Sequence, residues 1–107
     1  MTRGDLVTVA IAGDYGKPRP ALVIQSDLFG ALASVTVLPV TSDLRDAPLF
    51  RVPVAAADAS GLQRPSQLMV DKIVTVPREK VGRIIGRLPD ETMVAVNRAL
   101  AVFLGLA

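Results

Sequence analysis

The 107-residue sequence predicts one mainly β domain, a small barrel with a single C-terminal α-helix. Two observations carry that expectation. Short apolar runs rich in β-branched residues recur along most of the chain, each broken by glycine or proline, and closely spaced strands of this kind favour a barrel over a parallel sheet with helical crossovers. Helical spacing of apolar residues starts only at Pro89-Asp90-Glu91, near the end.

Asp5 to Ala12 (DLVTVAIA) is apolar and β-branched and stops at Gly13, which reads as a first strand. Gly13 to Pro18 is a turn-forming loop. Arg19 to Ser26 (RPALVIQS) is a second strand, opening with a proline where a missing amide donor does little harm, and the two form a hairpin. Ser34 to Thr41 (SVTVLPVT) is a third, with Pro39 marking an edge, a bulge or a bend. Leu49 to Val54 (LFRVPV) is a fourth, and Ala55 to Ser60 (AAADAS) has the composition of a mobile loop. Gln67 to Val76 (QLMVDKIVTV) is the longest β run, followed by a turn at Pro77 to Lys80 and a shorter strand at Val81 to Leu88. Proline and two carboxylates suit the first turn and positive dipole end of a helix, which should run to about Leu104. Met93, Val96, Leu100, Phe103 and Leu104 give it one face for the barrel, and its apolar second half leaves another for a second subunit.

Composition narrows the chemistry. The chain has no cysteine and no histidine, which excludes disulfides and removes the commonest metal ligands, so neither a zinc site nor a cofactor is expected. No apolar stretch approaches the roughly 20 residues of a membrane-spanning helix, and Met1 to Asp5 lacks the build of a secretory signal. A cytoplasmic location is expected. The formal charge of +2 does not by itself announce nucleic-acid binding, but arginines outnumber lysines, and arginine is the better bidentate partner for phosphate. Tyr15, Phe29, Phe50 and Phe103 are the only aromatic residues, too few for an extended base-stacking platform.

Without histidine or cysteine the usual nucleophile-imidazole arrangements cannot be built. RNA cleavage needs no protein nucleophile, because the substrate carries a 2′-hydroxyl beside each phosphate. The protein then has to orient that group and stabilise charge on the phosphate oxygens, a task suited to preorganised arginine. Lys17-Pro18-Arg19-Pro20 is the sharpest local feature: the flanking prolines push Pro18 and Arg19 toward extended backbone and hold Arg19 at the mouth of a strand. On position alone, a solvated strand-opening arginine is the favoured description.

The order of these pieces resembles the MazF/PemK toxin family. Arg3-Gly4-Asp5-Leu6-Val7, a glycine-bearing loop and Arg19-Pro20-Ala21-Leu22-Val23-Ile24 match its opening. Val37-Leu38-Pro39-Val40-Thr41-Ser42 is similar to its third strand, and Gly61-Leu62 with Ser66 to the segment before its long central strand. Asp71-Lys72-Ile73-Val74-Thr75-Val76 and Gly86-Arg87-Leu88-Pro89-Asp90-Glu91 complete the match over nearly the whole chain. The resemblance implies an SH3-like barrel of the CcdB/PemK type and the toxin of a type II toxin–antitoxin system. It also implies a metal-independent endoribonuclease, an mRNA interferase, that cuts single-stranded RNA to 2′,3′-cyclic phosphate and 5′-hydroxyl ends.

The family's catalytic arginine and threonine map to Arg19 and Thr41. Arg19 would stabilise charge on the phosphate, since a guanidinium is a poor proton donor, and Thr41 would orient the phosphate or the attacking hydroxyl. As an ordinary strand-end residue, Thr41 would instead cap the turn at Ser42-Asp43. Tyr15, Lys17, Ser42, Arg64, Ser66 and Gln67 are the candidate RNA contacts. The first loop is more compact than in familiar members and lacks their glutamate; Asp14 is the nearest carboxylate, and Tyr15 either stacks on a base or packs on the barrel. Arg78, Lys80, Arg83 and Arg87 form a basic run, but strand alternation splits it between faces, so it is not expected to form a patch. A homodimer and a cognate antitoxin, with an acidic or apolar tail lying in the RNA groove, are the implied partners. Two alternatives stand beside this reading. A CcdB-type gyrase poison shares the fold, but that family grips gyrase with a tryptophan that this chain lacks. A barrel that binds RNA or protein without cutting is the other.

Overall fold

The computed structural model describes residues 1–10 and 17–107. The described strands are β1 (Asp5–Ala10), β2 (Pro18–Val23), β3 (Ser34–Thr41), β4 (Arg51–Val54), β5 (Ser66–Met69), β6 (Val74–Pro77) and β7 (Val81–Arg87), followed by one helix, α1 (Asp90–Phe103). All pairings are antiparallel, in the order β4-β5-β3-β2-β1-β7, with β6 added alongside β3. The mainly β class, the first hairpin and the terminal helix are as expected. The path begins at β4 and ends at β7 with no described ladder joining them, so the sheet is open and barrel-like rather than closed.

The long β run expected from Gln67 to Val76 is two strands. Both lie along one side of β3, where Val40 pairs with Leu68 but Val37 pairs with Val74. The second strand therefore advances further than β3 retreats, and a 3-10 corner at Val70–Lys72 takes up the surplus while burying Val70. Pro39 falls where β3 changes from one of these partners to the other, so a residue without an amide hydrogen occupies an interruption of the ladder.

Successive residues of the three central strands enter opposite cores. Leu6, Leu22 and Leu38 join Leu68, Leu88 and Val96 under α1, whereas Val7, Val9, Ala21, Val23, Val35, Val37 and Val76 form a second cluster on the other face. Burial on both faces explains why these strands read as nearly unbroken apolar runs. The cluster under the helix mixes these leucines with Val40, Val52, Val54 and Val70, whereas the other is valine throughout except for Ala21. Of the expected helix stripe, Val96 is buried and Met93 and Leu100 pack against the leucine cluster, while Phe103 and Leu104 are exposed. The helix ends as a Schellman cap: Gly105 has φ +75, its amide donates to Val102 O, and that of Leu106 donates to Ala101 O. No described helix is long and apolar enough to cross a membrane.

The N-terminal segment is tied to this scaffold by charge. Arg3 donates from Nε to Ile24 O at 2.7 Å and from Nη2 to Asn97 Oδ1 at 2.6 Å. Asp5 is buried and accepts from the Thr2 amide at 2.8 Å and from Arg87 Nη1 at 2.9 Å. Burial alone would push the Asp5 carboxyl up; the Thr2 amide, the Arg87 guanidinium and the N-terminal ammonium outweigh it and hold the pKa below the usual carboxylate range. A depressed folded pKa contributes stability at pH values above the unfolded pKa, and that contribution is lost as pH falls through the folded value. Asp5→Asn is therefore expected to cost about 1–2 kcal/mol at neutral pH. The gap between the two denaturant midpoints should close on acidification below the ordinary aspartate range; a gap independent of pH would contradict this account.

Candidate active site

The site forms where the central strands run beyond the leucine core. Arg19, exposed near the start of β2, pairs with Val9 of β1 on one side. On the other side the ladder runs Val23↔Val37, Leu22↔Leu38, Ala21↔Pro39. That ladder ends two residues short of Arg19 and Thr41, and Thr41 itself pairs with Gln67 of β5.

Thr41 is half-buried, and its hydroxyl accepts from the Asp43 amide at 3.0 Å. This is the turn-capping contact of an ordinary strand-end threonine. A hydroxyl has one donor hydrogen and two acceptor lone pairs, so the amide contact uses one lone pair and leaves the hydrogen able to donate. The turn itself is fixed from below. Gln67 donates from Nε2 to Arg45 O at 2.9 Å and accepts from Arg45 N at 3.1 Å, and the buried Arg51 donates from Nη1 to Asp43 O at 3.1 Å and to Gln67 Oε1 at 3.0 Å.

The facing wall is the loop after β4. In place of the expected mobile segment, Ala57 bridges to Leu62, and the buried Ser60 donates to Ala55 O at 3.2 Å and Ala57 O at 3.0 Å. A donor hydroxyl at the centre of a small-residue loop supplies the ordering that composition alone does not reveal. The Arg87 amide donates to Ala59 O at 2.8 Å, fastening the loop to β7. The approach is so close that a Cβ on Gly86 would lie 2.2 Å from the Ser60 carbonyl, and one on Gly61 1.9 Å from Ile85 O.

Between these walls lies an open groove of about 750 Å³. Its described lining includes Arg19, Thr41, Ser42, Arg64 and Ser66 from the expected set, together with Thr8, Pro18, Pro20, Val40, Gln63, Met69, Arg83 and Ile85. Three arginines and no carboxylate are among the described lining residues, a cationic lining of the kind that attracts a polyanion. The buried Ser66 hydroxyl donates to Arg64 O at 2.9 Å, so its hydrogen shapes the loop rather than facing the groove. Gln67 stands outside the lining, engaged with Arg45 and Arg51 as described. Lys17 is exposed and also outside the lining. Tyr15 and Asp14 lie outside the described residues.

Two features are not visible in the sequence. The basic run that holds Arg83 divides in the fold: Arg78 donates to Leu32 O at 2.8 Å and Arg87 to Asp5 at 2.9 Å, whereas Arg83 lines the groove. Arg51, a charge inside a short strand, is buried as a brace, with Nε lacking a hydrogen-bond partner among the described residues. Only the strand register separates these roles.

Residues 2–104 match the family described as PemK-like, MazF-like toxin of type II toxin–antitoxin systems. The chain is 52% identical over 108 residues to "Probable endoribonuclease MazF" of Mycolicibacterium smegmatis, covering 100% of this chain and 99% of that protein. Endoribonuclease EndoA of Bacillus subtilis is 28% identical over 99% of this chain and 96% of its own length. Among solved structures, the Mycobacterium tuberculosis toxin MazF-mt6 superposes with a TM-score of 0.83 at 28% identity, covering 96% of this chain and 98% of that one. A mycobacterial endoribonuclease solved in complex with its cognate antitoxin superposes with a TM-score of 0.82 at 25% identity, covering 100% and 97%.

Proposed function

The chain belongs to the PemK-like, MazF-like toxins of type II toxin–antitoxin systems and is an endoribonuclease of that family, and from this premise we propose that Arg19 and Thr41 cut single-stranded RNA through the substrate's own 2′-hydroxyl. The observation that supports this pairing is the groove. A fixed threonine hydroxyl and three arginines meet there with no carboxylate among the described lining residues.

In the proposed reaction the 2′-oxygen attacks the adjacent phosphorus, the bond to the 5′-oxygen breaks, and the ends are a 2′,3′-cyclic phosphate and a 5′-hydroxyl. Negative charge grows on the non-bridging oxygens as the new bond forms. The Arg19 guanidinium meets that charge with paired donors, and the Thr41 hydroxyl donates one further hydrogen bond to the same phosphate. Arg19 acts through charge. The proton leaving the 2′-hydroxyl and the one arriving at the 5′-oxygen exchange with water, to which the groove is open. No step calls for a metal, in keeping with a chain that has neither histidine nor cysteine. Ser42 and Arg64 flank the phosphate path.

Family membership sets aside the gyrase-poison alternative. The mycobacterial relative solved with its antitoxin supports a cognate antitoxin for this chain, with an acidic or apolar tail occupying the arginine-lined groove in the cytoplasm. Exposed Val94, Val102, Phe103 and Leu104 on and beyond α1 offer an apolar surface for a homodimer.

The test is incubation of labelled single-stranded RNA with purified protein in a metal chelator. Fragments with cyclic phosphate and 5′-hydroxyl ends are expected, with Thr41→Val cutting more slowly than Thr41→Ser, which keeps the donor. Ends bearing a 5′-phosphate would overturn the mechanism, and RNA that is bound but intact would favour the non-catalytic alternative.

A further inference from the structure

The β1–β7 ladder shifts register at two places, between Leu6 and Val7 and between Val7 and Val9, and the second is informative. Val7 pairs with Ile84, yet Val9 pairs with Val81, so Thr8 alone faces both Gly82 and Arg83. This is a β-bulge, a device that re-aims a side chain and occurs preferentially beside active sites. Its effect is visible in the packing. A strand that alternated regularly would carry Val81, Arg83 and Ile85 on one face. Instead Val81 packs against the valine cluster and Ile85 against the leucine cluster, and both Ile85 and Arg83 line the groove.

The bulge is secured by Thr8. Its Oγ1 accepts from the Arg83 amide at 3.1 Å, and a Cβ on Gly82 would stand 2.3 Å from that same oxygen. Glycine is therefore the residue that lets the hydroxyl approach. The Arg83 guanidinium is exposed and has no hydrogen bond or ion pair among the described residues, whereas Arg78 and Arg87 of the same basic run are engaged with the fold. From these observations, and resting on the reading of the groove as the RNA site, we propose that Arg83 is a second phosphate-gripping residue, aimed by the Gly82–Arg83 bulge at a phosphate neighbouring the scissile one. Arg19 meets the reacting group, and Arg83 fixes the strand's register beside it. Its contribution belongs to substrate binding and positioning.

Binding can be separated from cutting with a labelled single-stranded oligonucleotide whose 2′-hydroxyls carry methyl groups, which removes the nucleophile. Arg83→Ala is expected to weaken its binding about tenfold, the loss of one charge-assisted contact. The slope of log affinity against log salt should fall by about 0.7, the single-strand value for one phosphate neutralised. Arg83→Lys should keep the slope while losing part of the affinity, because it retains the charge but not the fork. Lys80→Ala removes the same charge from an exposed turn outside the groove and is the control for a general electrostatic effect. With cleavable RNA the Arg83→Ala defect should fall on KM more than on kcat. Wild-type affinity and slope in Arg83→Ala, or an equal loss in Lys80→Ala, would overturn the proposal while leaving the endoribonuclease reading intact. A wild-type protein that neither binds nor cuts RNA would overturn both.

Discussion

Arg19→Ala is expected to slow RNA cleavage by about 10²–10³-fold, the scale seen when a preorganised donor to a developing oxyanion is removed. The side chain is exposed at the mouth of β2 and belongs to neither apolar cluster, so the variant should unfold at nearly the wild-type temperature. Single-turnover cleavage under saturating protein is the informative measurement, because it reports the chemical step apart from binding. Arg19→Lys tests the geometry, since a lysine keeps the charge but not the planar pair of donors. Recovery limited to a small part of the lost rate would support a bidentate contact. A rate unchanged by Arg19→Ala would remove the residue from the mechanism.

Gly61→Ala is expected to be the most disruptive small substitution in the groove wall. Gly61 has φ +72, where an ordinary residue loses about 1–2 kcal/mol. Its new Cβ would also lie 1.9 Å from Ile85 O, a backbone atom with no rotamer by which to retreat. Overpacking of this kind adds about 1–3 kcal/mol, so a total near 3 kcal/mol is expected, or a fall in Tm on the order of 15 °C for a domain of this size. If the chain stays folded at low temperature, the displaced loop carries Gln63 and Arg64 away from the groove. RNA binding should then weaken further than the melting curve alone accounts for. A variant with wild-type Tm and wild-type binding would show that the loop is not held by this contact.

The elements legible in the sequence are those made by neighbouring residues. β3 spans Ser34–Thr41 as expected, because its apolar run and its end are both local. α1 begins where proline and two carboxylates announce it and ends at a glycine with positive φ. Arg19 stands out in the sequence itself, because the prolines on either side constrain its backbone. The uninterrupted pattern of Gln67 to Val76 misleads for a physical reason. Both halves are good strands, and only the differing registers against β3 force a corner between them.

The site divides along the same line. Residue types and local spacing were enough for the β class and the terminal helix, and the order of motifs shared with the toxin family was enough to set a strand-mouth arginine beside a strand-end threonine. The open sheet edge, the bracing of the Thr41 turn by Gln67 and Arg51, the inward hydrogen bond of Ser66 and the aiming of Arg83 came only with the fold. Each depends on how a strand is registered against partners many residues away, and a shift of one residue turns a side chain from one face to the other. The Gly82–Arg83 bulge makes that shift opposite Thr8. No pattern within β7 alone could reveal it.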